Sequence, residues 1–388
     1  MNVDIDQQFL KIRKYCEQEE FKGYDPFDGL NSKFFQSIPF VRTNSFFRLL
    51  WIQFFKQNPI NFRPLFGVKK ENNPKGLGLF LSGYCNLYHV DPNPEYLDKI
   101  KFLMDKIYAC QAQGYSGACC GYNFDWQARA FFQPKGTPSV VVSSFIACAL
   151  LDAYQILKDE QLLHTTRSTC DFVLNDLHRT YNDDDAFAFS YSPMDQTQVF
   201  NASLLGCRLL CRVYQYTNES ILVETSKKAV AYACRYQQEN GAWFYSPLPF
   251  HQWVDSFHTG YNLECIDTYQ TASGDDSFNV HLEKGLKYYL ETFFREDGAP
   301  MYYNHSTYPI DVHNAAQLMV TLSKLGRFSE NKELIDKVLN WCQENMFDQR
   351  KGYFYYYKQK HYTVKICYMR WIQAWMFLAY SHYMMNLQ

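Results

Sequence analysis

Pro138-Ser-Val-Val-Val-Ser-Ser-Phe-Ile-Ala-Cys-Ala-Leu-Leu151 is apolar almost all the way round a helix, and the segment that follows is not. Past a break at Lys158-Asp-Glu160, Leu163, Thr166, Cys170, Val173, Leu174 and Leu177 recur at helical spacing, with His164, Arg167, Asp171 and Asn175 between them. A helix that is apolar on every side is buried on every side, whereas one with a single apolar stripe lies over a core and faces water. The two segments therefore read as an inner helix and its outer partner.

The pairing repeats in both directions from this stretch. Gly241, Gly298 and Gly352 each end a polar turn and are followed by aromatic clusters: Trp243-Phe244-Tyr245, Tyr302-Tyr303, and Tyr353 through Tyr357. An earlier copy, Phe187-Ala-Phe-Ser-Tyr191, follows the turn Asn182-Asp-Asp-Asp185. The period is roughly 55 residues, enough for two helices and two connections at about 1.5 Å of rise per residue. Inner helices are predicted near 76–91, 138–156, 198–215, 259–272, 312–325 and 364–384, and outer ones near 95–112, 160–178, 219–238, 276–295 and 331–346. Six inner helices thus have five outer partners, and N-terminal helices near 5–19 and 44–57 are available for the missing place. An open array would end in a polar capping repeat. The last helix instead reads Trp371-Ile-Gln-Ala-Trp-Met-Phe-Leu-Ala-Tyr380 and needs cover. The expected fold is all-α, a closed toroid of helical hairpins with inner and outer rings. It forms one domain over 1–388, in which 1–75 completes the outer ring and 76–388 carries the hairpins.

Composition narrows the function. The net charge of −2 comes with no basic block, which excludes an electrostatic nucleic-acid footprint. No uninterrupted apolar stretch is read as a membrane span. The N-terminal residues MNVDIDQQFLKIRKYCEQEE are charged throughout and lack the apolar core of a leader. Many of the 13 cysteines, Cys148, Cys170, Cys207, Cys211, Cys234 and Cys265 among them, sit in apolar helical runs as small hydrophobes, which suits a reducing compartment and a cytoplasmic location. The 31 Tyr and 32 Phe supply surfaces that are apolar on the face, with a hydrogen-bonding tip on Tyr. The sequence does not indicate an oligomeric state.

The alternation of buried and amphipathic helices joined by aromatic-rich Gly connectors resembles the six-hairpin (α/α)6 toroids. That superfamily includes glycoside hydrolases, uronate-polymer lyases and sugar epimerases, with terpene cyclases and protein prenyltransferases as relatives. The resemblance covers roughly residues 76–388 by pattern. Two phrases, Gly23-Tyr-Asp-Pro-Phe-Asp-Gly-Leu30 and Tyr368-Met-Arg-Trp-Ile-Gln-Ala-Trp375, resemble those of bacterial proteins linked to surface-polysaccharide synthesis. It implies a carbohydrate ligand. No catalytic signature of a named family matches residue by residue, so no catalytic residue carries over.

In such a ring the N-terminal ends of the inner helices gather at one mouth, where helix dipoles favour anions. The polar stretch before each inner helix is therefore expected to line it. Asp195, Asp255 and Asp311 recur at about the repeat period; each suits an N-cap and each suits acid–base work on a sugar. Asp255-Ser-Phe-His-Thr-Gly-Tyr261 is the richest cluster, with a carboxylate, the imidazole of His258 and the phenol of Tyr261. His exchanges protons near neutral pH and a phenol can protonate a leaving oxygen. In uronate lyases of this architecture His and Tyr serve as base and acid, a likeness of residue type only. Asp125, Asp255, His258 and Tyr261 are the catalytic candidates. Asp195, Asp311, His313 and Asn314 are binding candidates, as are Arg129 and Arg370 for an acidic group and Trp126 and Trp371 for stacking on sugar rings. The alternatives are a capping or core role for each, an Asp125–Arg129 pair, and a structural salt bridge from Arg370 to an Asp. No phosphate-binding glycine loop is present and Cys265, near His258, lacks metal-ligand spacing, so neither a cofactor nor a metal is expected. Three functional classes stay open: a hydrolase-, lyase- or epimerase-like enzyme of polysaccharide metabolism, a non-catalytic glycan-binding or scaffolding toroid, and an isoprenoid-handling toroid.

Overall fold

The computed structural model describes residues 5–182 and 184–387; Asp183 of the turn noted above lies outside them. Helix α1 (Ile5–Gln18) is followed by two short helices, α2 (Lys33–Gln36) and α3 (Pro39–Thr43), and by α4 (Ser45–Gln57). Five hairpins come next: α5 (Pro74–Val90) with α6 (Pro94–Tyr108), α7 (Val140–Leu157) with α8 (Glu160–Asn175), α9 (Phe200–Thr217) with α10 (Ser220–Arg235), α11 (Ser256–Ser273) with α12 (Asn279–Phe293), and α13 (Val312–Lys324) with α14 (Lys332–Met346). A π-helical turn, Met369–Gln373, leads into α15 (Ala374–Met385). Antiparallel strand pairs of two or three residues, such as Phe347–Asp348 with Tyr353–Phe354, form the turns between helices.

The burial of the odd-numbered helices from α5 onward follows from their sequence. Every residue of α7 from Val140 to Leu151 is buried, and Ser139 caps the helix by accepting a hydrogen bond from Val142 N. Its partner α8 buries only one stripe, including Leu162, Thr166, Cys170 and Val173. Among the described residues α7 is the one helix long and apolar enough to cross a membrane, by length and composition alone; in the structure, 72% of that stretch is buried as the wall of the ring. All 13 cysteines are free and eleven are buried.

The inner helices contact one another in the order α5, α7, α9, α11, α13, α15, and α15 contacts α5 again, so the ring is closed. At this seam Gly83 of α5 faces Phe377 so closely that a Cβ would lie 2.6 Å from its ring. The sixth outer place is taken by α1. Its Phe9 ring lies 5.2 Å from that of Phe377, and Tyr380 donates to Gln8 Oε1 at 3.2 Å. Helix α4, the other helix available for that place, lies across the mouth instead.

The seam is fastened by the two phrases noted in the sequence. Arg370 makes a two-pronged ion pair with Asp25, Nε to Oδ2 at 2.5 Å and Nη2 to Oδ1 at 2.8 Å. Arg63 pairs with Asp28 at 2.6 Å and donates to Tyr368 Oη at 2.8 Å and to the Asp25 carbonyl at 2.8 Å. All four ionic groups are buried. Removing one partner strands the other charge in a dry site, at a cost of roughly 3–5 kcal/mol. Asp25→Ala is expected to lose about that much stability in denaturant unfolding. The double variant Asp25→Leu, Arg370→Met is expected to lose clearly less. Equal losses would show that the pair is not the fastening.

Candidate active site

The N-terminal ends of the inner helices open into a cavity of about 1020 Å³. Each contributes to its wall: Lys75 from α5, Val141 from α7, Asn201 from α9, His258 and Tyr261 from α11, His313 from α13, and Arg370 and Trp371 from the π turn before α15. The rim comes from Phe27, from Leu49, Gln53 and Lys56 of α4, from Trp126 through Arg129, and from Pro249 through Trp253.

Asp255 is both a helix cap and a brace. Its Oδ1 accepts from His258 N at 3.0 Å, and its Oδ2 accepts from Trp253 Nε1 at 3.0 Å and bonds His258 Nδ1 at 2.7 Å. The carboxylate is buried behind the ring, and His258 is on the wall. With Nδ1 occupied as a donor, the lone pair left for a ligand is on Nε2. Tyr245, 4.8 Å from the His258 ring and stacked 4.6 Å from Trp253, walls the same side.

Deeper in, Tyr261 Oη lies 3.2 Å from His313 Nε2 and 3.4 Å from Lys75 Nζ. Burial holds the Tyr261 phenol well above its ordinary pKa and the His313 imidazole well below, so both are neutral near pH 7. His313 is sandwiched between Phe257 at 4.6 Å and Trp375 at 4.6 Å, and its Nδ1 has no hydrogen-bond partner among the described residues. Asp311 supports this group from behind: Oδ1 caps α13 through His313 N at 2.9 Å and Oδ2 accepts from Trp371 Nε1 at 2.8 Å.

The expected site residues thus divide. His258, Tyr261, His313, Trp126, Arg129, Arg370 and Trp371 meet at the wall. Asp255 and Asp311 stand directly behind it. Asp125 lies off the wall, accepting from Lys135 N at 2.7 Å and Gln36 Nε2 at 3.2 Å, and among the described residues it makes no ion pair with Arg129. Arg129 lies 5.4 Å over the Trp253 ring and donates to the Phe250 carbonyl. Asp195 is consumed by its own loop, accepting from the amides of Tyr191, Ser192 and Thr197 and the hydroxyls of Ser192 and Thr197. Asn314 is buried within α13, off the wall, with neither side-chain polar atom bonded to any of the described residues. Lys75 and Lys56 were not singled out from the sequence, although Lys75, like Arg370, is a charge at the start of an apolar helix. Among the described residues the wall holds no carboxylate, and no three His, Cys, Asp or Glu side chains converge as metal ligands.

No protein-family model matches the sequence, and no curated protein does. Solved structures do match. A cellobiose 2-epimerase from Bacillus thermoamylovorans superposes with a TM-score of 0.66 at 10% identity, over 99% of this chain and 100% of that one. The chain has the (α/α)6 toroid fold. A GH76 α-mannanase from Bacteroides thetaiotaomicron gives 0.60 at 12% identity over 81% of this chain and 87% of that one. A polysaccharide lyase gives 0.61 at 10% identity over 100% and 98%. Toroids of this shape therefore carry epimerase, hydrolase and lyase names, and the shape alone does not choose among them.

Burial raises the Asp311 carboxyl to about 7, against two hydrogen bonds that favour its charged form. An acid with a raised folded pKa binds a proton on folding between its two values, so stability from this group is greatest at low pH and falls as pH rises from about 4 to about 7. Asp311→Asn cannot ionise. Its stability relative to the wild type is expected to rise across that window in urea unfolding at stepped pH; a constant difference would contradict the assignment.

Proposed function

We propose that this toroid is a carbohydrate-active enzyme that moves a proton at a sugar carbon beside a carbonyl or carboxyl group, as an epimerase or a β-eliminating lyase does. The observation that carries the reading is the wall itself, which offers imidazoles, phenols and cations but no carboxylate. Hydrolysis of a glycosidic bond by paired carboxyl groups needs both on the wall about 5–10 Å apart. Here Asp255 and Asp311, behind the wall, are turned onto their own helix starts.

The roles follow from the hydrogen bonds. Asp255 fixes the His258 ring and would stabilise the imidazolium formed when Nε2 takes a proton from carbon. Tyr261, held protonated by burial, supplies a proton to oxygen or to the opposite face of the carbon, with His313 and Lys75 at its oxygen. Arg129, Arg370 and Lys56 suit a substrate with anionic or electron-rich oxygens. Trp126 and Trp371 present aromatic surface for sugar rings. The epimerase and lyase among the structural neighbours support this chemistry, and the free buried thiols support a cytoplasmic setting. A role in polysaccharide metabolism fits such a substrate.

A second reading, a glycan-binding toroid without turnover, is favoured by the capping roles of Asp255 and Asp311. Incubation in D2O with reducing sugars and uronic acids separates the two. Proton transfer should place deuterium on the substrate carbon, read by NMR, and His258→Ala should slow it by about 10²–10⁴-fold. Sugars that raise the melting temperature yet never exchange would favour the binding-only reading.

A further inference from the structure

Lys75 is the second residue of α5, follows Pro74, and is 4% exposed at the inner end of the cavity. Three aromatic rings surround its Nζ: Phe145 with its centroid at 4.2 Å, Tyr261 at 5.3 Å and Trp375 at 5.5 Å. Its hydrogen bond is to Tyr261 Oη. Among the described residues it makes no ion pair. The charged and titratable groups that face it come from five other elements. Arg370 of the π turn is already paired with Asp25 of the N-terminal segment, and Arg208 of α9 with Glu264 of α11. Arg208 also lies 4.9 Å from the ring of Phe145, so that ring serves two cations. His313 of α13 reaches Lys75 through Tyr261.

An ammonium at this point has given up water and gained no counterion, while two guanidinium groups repel it. Aromatic faces attract a cation, but they do not replace a missing carboxylate. We propose that Lys75 is a nucleophilic amine that condenses with the carbonyl of an open-chain reducing sugar or keto-sugar to form an imine in this cavity. Burial and the two arginines lower its pKa well below that of an ordinary lysine.

The chemistry balances without a co-reactant. The Nζ lone pair attacks the carbonyl carbon, the C=O π pair moves to oxygen, and oxygen is protonated by Tyr261. The nitrogen then returns a proton to the Tyr261 phenolate, and Tyr261 protonates the hydroxyl, which leaves as water while the nitrogen lone pair forms the C=N bond of the iminium. The iminium draws electrons from the neighbouring C–H, whose proton passes to His258 Nε2 as the pair moves into an enamine. Return of a proton to either face and hydrolysis by one water regenerate the amine. This step deepens the proton-transfer reading and rests on it for the role of His258, whose ring centroid lies 5.9 Å from that of Tyr261.

Glycolaldehyde with sodium cyanoborohydride traps such an imine as a stable secondary amine, which peptide mass mapping locates. Applied to the full chain, labelling of Lys75 should be about 100-fold faster at pH 6.5 than that of exposed Lys69. Between pH 6 and pH 8 it should climb less steeply than that of Lys69, which rises about 100-fold as ordinary lysines lose their protons. Lys75→Arg, which keeps a long cationic side chain, should remove this adduct and leave the others. Absence of a Lys75 adduct, or a Lys75 rate that climbs with pH like that of Lys69, would overturn the proposal. The trap reads the amine and deuterium exchange reads the carbon acid. Labelled Lys75 without exchange in any sugar would therefore sink the proton-transfer reading alone. Exchange without labelled Lys75 would sink only the imine.

Discussion

A ring of six apolar helices has to close somewhere, and here it closes on one buried ion pair. Arg370 and Asp25 lie 345 residues apart in sequence and meet with both prongs satisfied. Around them Tyr24 and Tyr368 pair as parallel backbone, Met369 N donates to the Tyr24 carbonyl, and Arg63 ties Asp28, Tyr368 and the Asp25 carbonyl together. The backbones approach so closely that a Cβ on Gly23 would fall 2.5 Å from that of Met369. The chain at this point is a π turn, whose extra residue per turn shifts the side chains that follow it. Arg370 and Trp371 both reach the cavity from there. Ring closure and the inner wall of the site are thus one structural feature.

The charge of the cavity depends on the same economy. Its cations outnumber its anions because the acids near it are committed elsewhere: Asp25 to Arg370, Asp255 to His258 and Trp253, Asp311 to Trp371 and a helix start. Below, Arg208 lies over the Phe145 ring that Lys75 also approaches, and two acids on that side have cationic partners. Glu264 pairs with Arg208 and Lys324, and Asp152 with Arg212. A second cavity of about 320 Å³ opens at that end, with Arg208, Arg212 and Lys324 in its wall. The two ends of the barrel thus differ in their charged groups: carboxylates in ion pairs with Arg208, Arg212 and Lys324 below, and above an amine that makes no ion pair among the described residues.

The helices were legible because their evidence is local. A period of 3.6 residues and the switch from all-round to one-sided apolarity place all eleven predicted hairpin helices, with ends moved by up to about four residues except at the last, where α15 begins ten residues after the predicted start because the π turn precedes it. Closure was also legible, since Trp371 through Tyr380 cannot face water. The choice of α1 over α4 to complete the ring was not. Both are amphipathic, and only tertiary contact puts Phe9 of α1 on Phe377 while α4 covers the mouth.

The site divides along a rule of side-chain length. A polar stretch before an inner helix brings its residues to the mouth, but a short Asp there finds a backbone N–H closer than any ligand. Asp195 and Asp125 are spent on backbone amides in this way, and Asp255 and Asp311 point back at their own helices. Longer side chains at the next positions, His258, Tyr261 and His313, cannot fold back and project into the cavity. Periodic acids in the sequence therefore mark where the site is without forming its surface. Asp255 does both jobs, because the oxygen left over from capping is the one that holds the imidazole. Lys75 obeys the same rule: Asn73 caps α5, and the lysine two residues on, too long to serve as a cap, extends into the cavity.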